Sequence, residues 1–469
     1  MAETAGRANG GAIARFFGFA ELGTNYRNEI IGGLTTFITM AYIIVVNPAI
    51  LAAAGIPIGP STVATILAAV VGTLIMALYA RRPIGVAPYM GENAFIAFTV
   101  VLAMGFSWQQ GLGAVFIGGV LFVVITILKI RGWLARAIPT SLRYSFAAAI
   151  GLFLAFIGLY ETGVVTSFVA GMPPEILTDS ATHLLKSPDV PVKLGALGNP
   201  RVLLALFCFT IIVVLMALKV KGSILIGMAV TATLGFLLGH GHAPEGVAAL
   251  PFVGKYNLGE IAFQLDIAGA FTLAFIPVLL TIFLMDFLDT IGTLIGVGAA
   301  GDLLDEEGNF PEMDKAMMAD AVASTAGALL GTTTTGAYIE SATGIKEGGR
   351  SGFSALVTTL AFAACLFFIP LIQPLQGLSY VYGPPLIVVG ILMMSSIRRI
   401  DFEDLTECVP AVVTILLVLF TYNIGNGLTA GLIAYPVLKI VTGRWRELNW
   451  GMAVLAALSL IYYLFGVVH

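Results

Sequence analysis

The chain has 469 residues, of which 58% are hydrophobic and only 11% charged, with a formal net charge of −4. Water-soluble domains run near 45–50% apolar and about 25% charged, so a soluble enzyme is excluded. Nothing in the charge balance points to nucleic acid either. What remains is a polytopic membrane protein. Its 54 glycines fit that class, since membrane helices tolerate glycine better than soluble ones do. Cys208, Cys365 and Cys408 lie in or beside apolar runs without C-x-x-C spacing, which argues against disulfide and zinc frameworks.

Residues 1–29 carry Arg7, Arg15 and Arg27 but no short apolar core followed by a small-residue cleavage site, so they do not read as a signal peptide. Phe16, Phe17 and Phe19 are expected at the membrane surface on a short amphipathic piece. A hydrocarbon core about 30 Å thick needs roughly 20 apolar residues per helix. Runs that meet or approach this lie near 30–54, 61–80, 84–104, 111–128, 143–164, 202–218, 223–241, 268–297, 316–331, 336–350, 352–373, 383–397, 408–424, 427–442 and 450–468. The run 336–350 is too short to cross alone, and the last either lies flat or crosses. Placing the N-terminus in the cytoplasm puts most of the 23 Lys and Arg residues inside, Lys439 among them, and leaves only Lys186, Lys193, Arg201 and Lys255 outside. That topology needs 84–104 and 332–350 each to count as a full crossing. The polar stretches 165–201 and 242–266 are then outer loops, and the acidic segment from Asp302 to Asp314 is an inner connector.

Two segments in matching places are hostile to helix. Residues 84–95 read IGVAPYMGENAF and residues 331–344 read GTTTTGAYIESATG. Pro88 removes a backbone donor and biases Ala87 away from helix, and the β-branched run Thr332 to Thr335 prefers extended backbone. Each segment then passes into an acid followed by a small polar residue, Glu92–Asn93 and Glu340–Ser341. Each is therefore expected to cross half the membrane extended and half as a helix, which is tolerated only where the backbone is buried in protein or lines a cavity. Each is also the third span of a seven-span half, the pattern of an inverted-repeat transporter with its site at the midplane. Each short helix turns its N-terminus, with free N–H groups and positive dipole, toward that site.

Four carboxylates fall in otherwise apolar spans: Glu92, Asp286, Asp289 and Glu340. On insertion scales each costs roughly 2.5–3.5 kcal/mol at the bilayer centre, and no Lys or Arg lies in the middle of these spans. A carboxyl without a cation in low dielectric favours its neutral form and so both donates and accepts hydrogen bonds and exchanges protons. Asp286 and Asp289, three apart, share a helix face. Glu161, Glu403, Asp404 and Glu407 lie near span ends, where a solvated role is expected. No histidine falls in a span: His183 is in an outer loop, and His240, His242 and His469 are at loop or chain ends. A histidine-based metal site or proton relay inside the membrane is therefore not expected. Tyr89 and Phe95 flank the first break, placed to stack on a planar ligand.

These residues resemble a known family. The opening GTNYRNEIIGGLTTFITMAYIIVVNPAIL, the APYMGENAF break, FLDTIGTLIGVG and GTTTTGAYIESATGIKEGGRSG are similar to the AzgA-like purine permeases, a branch of the nucleobase:cation symporter-2 family. The likeness runs from residue 22 to about 440. It implies an all-α polytopic membrane protein with a 7+7 inverted repeat of about fourteen helices, helices three and ten being broken. It also implies a cytoplasmic segment 1–29, core-domain helices in 30–130 and 268–373, and gate-domain helices in 143–241 and 383–469, the last range including the apolar tail. By motif, Asp289 looks like the span-eight acid that holds the base, Glu340 like the span-ten acid, Asn93 like the polar residue of span three and Asp286 like the second span-eight acid. Tyr89, Glu92, Phe95, Thr293 and Ser341 complete the expected binding set, with Asp286, Asp289 and Glu340 expected in proton coupling. Where many relatives read Gly-Met-Gly-Leu-Asn, this chain reads Tyr89-Met90-Gly91-Glu92-Asn93, which adds an acid.

The resemblance thus implies a proton-coupled symporter importing adenine, guanine or hypoxanthine across the plasma membrane, with no cofactor beyond the coupled proton. The expected partners are a purine, the lipid bilayer and, as the assembly considered, a second copy in a homodimer. The base lies between spans three, eight and ten, with Asp289 and Glu340 on its edges. A carrier of the same architecture for xanthine, urate, uracil or an anion is the alternative, although unpaired acids at the midplane repel anions. An intramembrane aspartyl protease wants its two acids on separate helices in other motifs, and a channel would show ohmic current instead of saturable uptake.

Overall fold

The computed structural model describes residues 11–130, 137–172, 191–272, 275–301, 303–304, 310 and 312–465. Arg7, Arg131, Arg136, His183, Lys186, His469 and most of the acidic segment 302–314 lie outside the described residues. The helices in chain order are α1 (Tyr26–Ala53), α2 (Ile58–Ala80), α3 (Met90–Ala103), α4 (Trp108–Ile127), α5 (Thr140–Glu161), α6 (Pro200–Ala217), α7 (Ser223–Leu237), α8 (Ile276–Ala300), α9 (Met313–Leu330), α10 (Ser341–Lys346), α11 (Gly352–Cys365 with Ile369–Gln376), α12 (Ser379–Arg399), α13 (Leu405–Phe420), α14 (Ile424–Val441) and α15 (Trp450–Phe465). Among the described residues eight of these are long and apolar enough to cross a membrane, and α11 joins them as a span bent by 81°. Local chemistry sets their ends. Ser107 and Gln110 close a capping box on α4, Pro200 follows the Asn199 cap of α6, and Asn423 caps α14.

One proline break is repaired from a neighbouring span. Pro48 in α1 frees the carbonyl of Ile44, four residues earlier. Gln376, buried at the end of α11, donates to that carbonyl at 2.8 Å. Without water in the bilayer, only such a protein donor satisfies it.

The two helix-hostile segments are extended, as expected. Strand β1 (Val86–Pro88) precedes α3, and β4 (Thr335–Ala337) precedes α10; between them in sequence, after α5, β2 (Val165–Ser167) and β3 (Val192–Leu194) pair antiparallel. β1 and β4 pair antiparallel, with Val86 opposite Ala337, Ala87 opposite Gly336 and Pro88 opposite Thr335. The remaining backbone groups are met from the preceding spans. Thr73 of α2 both donates to the Val86 carbonyl and accepts from its N–H, each at 2.9 Å. Ser324 of α9 does the same on Thr335, at 3.0 and 3.1 Å. α2 and α9 occupy the same place in the two seven-span halves, so each half repairs its break by the same device. Gly85 extends the pairing, its N–H reaching Ser341 Oγ at 3.0 Å and its carbonyl accepting from Tyr338 at 3.0 Å.

Backbones approach closely where α10 crosses α1. A Cβ on Gly32 would come to 2.6 Å from the Gly349 Cα and 2.8 Å from the Gly344 carbonyl. One turn earlier in α1, Glu29 is fully buried and caps the start of α11. Its carboxylate accepts from the N–H groups of Arg350 (3.0 Å), Ser351 (3.2 Å) and Ser354 (3.1 Å). Glu29→Ala leaves these donors unpaired at about 1–3 kcal/mol each. We expect the melting temperature of the detergent-solubilised variant to fall by several degrees, whereas Glu29→Gln, keeping one acceptor oxygen, falls less; equal melting of all three proteins contradicts this role.

The helices pack in two groups. α1, α2, α4, α9 and α11 pack on one another around the strands, with α3, α8 and α10 among them; α5, α6, α7, α12, α13 and α14 form the other. Two expectations need correction or completion. Phe17 and Phe19 do not lie on the membrane surface: they are buried, with Phe353 of α11 edge-on to both and Tyr26 edge-on to Phe19. Only Phe16 is exposed, beneath the guanidinium of Arg81 at 4.3 Å. The tail helix α15 runs back along α14 rather than lying flat. Tyr463 near its end donates to the carbonyl of Asn426, in the first turn of α14, at 2.7 Å.

Candidate functional site

The paired strands end where α3 and α10 begin, and the expected residues gather around that junction. Glu340 immediately precedes α10 and is half-buried; Tyr42, in the turn that divides α1, donates to its Oε1 at 2.7 Å. Asp289 on α8 is also half-buried and lies within electrostatic reach of Glu340. Open space adjoins them: a Cβ on Gly292, one turn along α8, would meet nothing within 4 Å. Ile339 beside Glu340 is 50% exposed, and Thr293 faces inward at 9%. Asp289 and Glu340 are thus neighbouring, partly accessible acids beside this opening.

The other acids stand behind that opening. Glu92 and Asp286 are buried at 1% exposure and feel each other's charge and that of Asp289. Ser324 donates to Asp286 at 3.3 Å. The shared face of Asp286 and Asp289 is real, but the two differ in depth, one against α9 and the other at the opening. A fifth acid was missed by sequence reasoning. Asp320 in α9 is fully buried, accepts from Thr290 of α8 and acts on Glu92, Asp286 and Tyr89. It was detectable as the one acid inside the Ala-rich run 316–331. Among the described residues, Glu92 Oε1, Asp286 Oδ2 and Asp320 Oδ1 are buried without a hydrogen-bond partner. Among the described residues none of the five acids forms an ion pair with Lys or Arg.

Three expected residues are engaged elsewhere. Asn93 is fully buried and donates to Asn47 of α1, which in turn donates to Thr65 at 2.7 Å and Thr332 at 3.0 Å; the Asn93 carbonyl oxygen has no partner. Ser341 holds Gly85. Phe95, at 1% exposure, is a core side chain. Tyr89 does sit at the junction, its ring nearly parallel to that of Tyr338 (8°, centroids 6.2 Å apart). Tyr338 follows β4 as Tyr89 follows β1, and its hydroxyl donates to the Pro88 carbonyl. Tyr42, Asn47 and Tyr338 were not singled out from the sequence, since their partners are far along the chain.

Gly336 makes this arrangement possible, because a Cβ there would come within 2.3 Å of Tyr89 Cε2 and 2.4 Å of its Cζ and hydroxyl oxygen. We expect Gly336→Ala to displace that ring and lower substrate affinity at least about tenfold, roughly the 1–3 kcal/mol that overpacking costs. A variant that binds as the parent does would show that Tyr89 is not part of the site.

Known proteins resemble this chain along most of its length. Residues 27–428 match the family model of the xanthine/uracil permeases, described as a permease family. The chain belongs to the xanthine/uracil permease family. It is accordingly a nucleobase permease, a transporter and not an enzyme. Within such permeases it is similar to the adenine permease AdeQ of Escherichia coli (39% identical over 448 residues, 96% of this chain and 95% of the other). It is also similar to the guanine/hypoxanthine permease PbuO of Bacillus subtilis (40% identical over 451 residues, 95% and 99%). The fold of this permease is shared with the transmembrane domain of a cyanobacterium bicarbonate transporter, BicA, at a TM-score of 0.58 and 15% identity over 86% of this chain and 97% of that one. That likeness fixes the 7+7 inverted-repeat architecture.

Proposed function

We propose that this permease imports purine nucleobases, with adenine, guanine and hypoxanthine as the substrate class, together with a proton. The observation that carries the reading is the proximity of Asp289 and Glu340, two half-buried acids on neighbouring spans of the second half, without a cation. A purine presents N–H donors and ring nitrogens in one plane, and a carboxyl on each side pairs with such edges by hydrogen bonds that are shorter and stronger when charge-assisted. Asn93, Tyr89, Glu92, Phe95, Thr293 and Ser341 shape or support the pocket in this reading, Asn93 and Ser341 by holding the break segments in place. The purine permeases of Escherichia coli and Bacillus subtilis at about 40% identity support the substrate class.

Proton coupling follows from the same acids. With no permanent counter-ion, Asp289, Glu340 and Asp286 exchange protons instead of holding fixed charge, and one such exchange per cycle ties uptake to the proton gradient. The helix group of α1–α4 and α8–α11 serves as core and the group of α5–α7 and α12–α14 as gate, their rocking giving alternating access. The Arg81, Arg82, Lys129, Arg350 and Arg398 face is cytoplasmic in a plasma membrane, with the N-terminus on that side. BicA is named for bicarbonate, but five uncompensated acids repel an anion, so the shared architecture does not carry over its cargo.

The test is purine-dependent proton movement in proteoliposomes. Added hypoxanthine, adenine or guanine should acidify the lumen when the base enters down its gradient. Purine flux with no proton movement would remove the coupling, and no purine flux would remove the substrate class.

A further inference from the structure

Away from the five acids, on the face opposite the arginine-rich one, the seam between the two helix groups opens into a crevice of about 290 Å³. Ile50 of α1, Phe98 of α3 and Gln376 of α11 line it from one group; Glu161 at the end of α5 and Tyr382 and Leu386 of α12 line it from the other. None of the residues assigned above to the central site touches it. Its floor is closed at Phe98, whose ring meets Tyr422 edge-on at 6.2 Å. Tyr422 packs in turn against Phe153 (5.1 Å) and Phe156 (6.0 Å), and its carbonyl accepts from Thr99 at 3.1 Å.

Glu161, the end-of-span acid for which a solvated role is expected, has a protein partner as well. It is half-buried, and its Oε2 accepts from the Tyr382 hydroxyl at 2.7 Å. Its other oxygen accepts no hydrogen bond, and no Lys or Arg pairs with it, among the described residues. A carboxylate with one oxygen fixed and one free, set over an aromatic ring and aliphatic walls, suits a flat heterocycle with an N–H on its edge. Small-molecule pockets run roughly 300–1,000 Å³, so this one, at the lower limit, suits a bare base and not a nucleotide. A free anion is opposed by Glu161.

We infer that this crevice is a second, outer binding site for the base, occupied before the base reaches Asp289 and Glu340. The inference rests on the purine reading above. Because its walls come from both helix groups, a base held there bridges them, and Tyr382 fixes the carboxylate that receives it.

Equilibrium dialysis of labelled hypoxanthine against the purified full-length protein tests this. The wild type is expected to bind two equivalents per chain. Glu161→Gln and the crevice-filling Leu386→Trp should each bind one, and Glu340→Gln should lose the other. In cells, Glu161→Gln should raise the KM for uptake several-fold, more than it lowers the maximal rate. A single equivalent in the wild type that both crevice variants retain overturns the outer site while leaving the central one standing. No purine binding by the wild type at all overturns the purine reading itself. Elution of each variant as the parent does on size exclusion shows that a lost equivalent is not a folding defect.

Discussion

Glu340→Gln and Asp289→Asn are each expected to cut proton-driven hypoxanthine accumulation by at least about 10- to 100-fold. Each replaces a group that both carries a proton and pairs with the base by an amide that does neither in the same way. The loss of one hydrogen bond to a charged group is about 1.5–3 kcal/mol, and each 1.4 kcal/mol is tenfold. The two variants should also differ from Tyr42→Phe, which removes only the phenol donating to Glu340 at 2.7 Å. That change leaves the carboxyl in place, so its cost should be nearer tenfold and fall mainly on KM. Uptake of labelled base in cells lacking their own permeases measures all three. Near-normal accumulation by both acid variants would remove these residues from the site.

Gly344→Val is expected to abolish assembly. A Cβ at Gly344 would overlap Thr36 and the carbonyl of Gly32 and lie 3.1 Å from the Gly32 carbonyl carbon. The Gly32 atoms are backbone of a packed span, which cannot swing aside as the Thr36 hydroxyl could. Overpacking in a well-ordered core costs about 1–3 kcal/mol and more where backbone must move, and here it also lifts α10 and Glu340 away from Tyr42. The contrast is Gly292→Ala, whose Cβ meets nothing within 4 Å. Membrane yield and melting in detergent should collapse for the first and stay at the parental level for the second, while base binding reports the narrowed opening. Normal yield and melting of Gly344→Val would show that the α1–α10 crossing is looser than described.

Much of this was legible because the residues that break a membrane helix are few and strong. Pro88, the run from Thr332 to Thr335, and the acids after each announced two extended segments in equivalent places. That they pair with each other, and that Thr73 and Ser324 mend them alike, was not legible, since strand register is a contact between residues some 250 apart in the chain. The partners Tyr42, Asn47 and Tyr338 escaped for the same reason. Phe17 and Phe19 misled because an amphipathic terminal segment has the same pattern whether it meets lipid or another helix; Phe353 decides it here.

Lys439 shows the limit from the other side. It counts as an inner-loop base in the sequence, yet its side chain is fully buried, 2.8 Å from Glu407 and 2.7 Å from Glu447. Around it Arg444 reaches Asp404 at 2.5 Å and Glu447 at 2.6 Å. Hydrogen bonds from Thr406 and Arg444 hold the Asp404 carboxyl well below the usual carboxylate range. A depressed carboxylate contributes above its unfolded pKa and is lost only as pH falls through the lower folded value, so this link survives mild acid. Charge counting orients such residues; it does not reveal that they tie α13, α14 and the lead into α15 together.

The most direct measurement is a structure of the protein with hypoxanthine bound. The account predicts density for the base in the opening beside Gly292, with ring or exocyclic atoms within hydrogen-bond distance of both Asp289 and Glu340. A base held away from both acids, or touching only one of them, would contradict it.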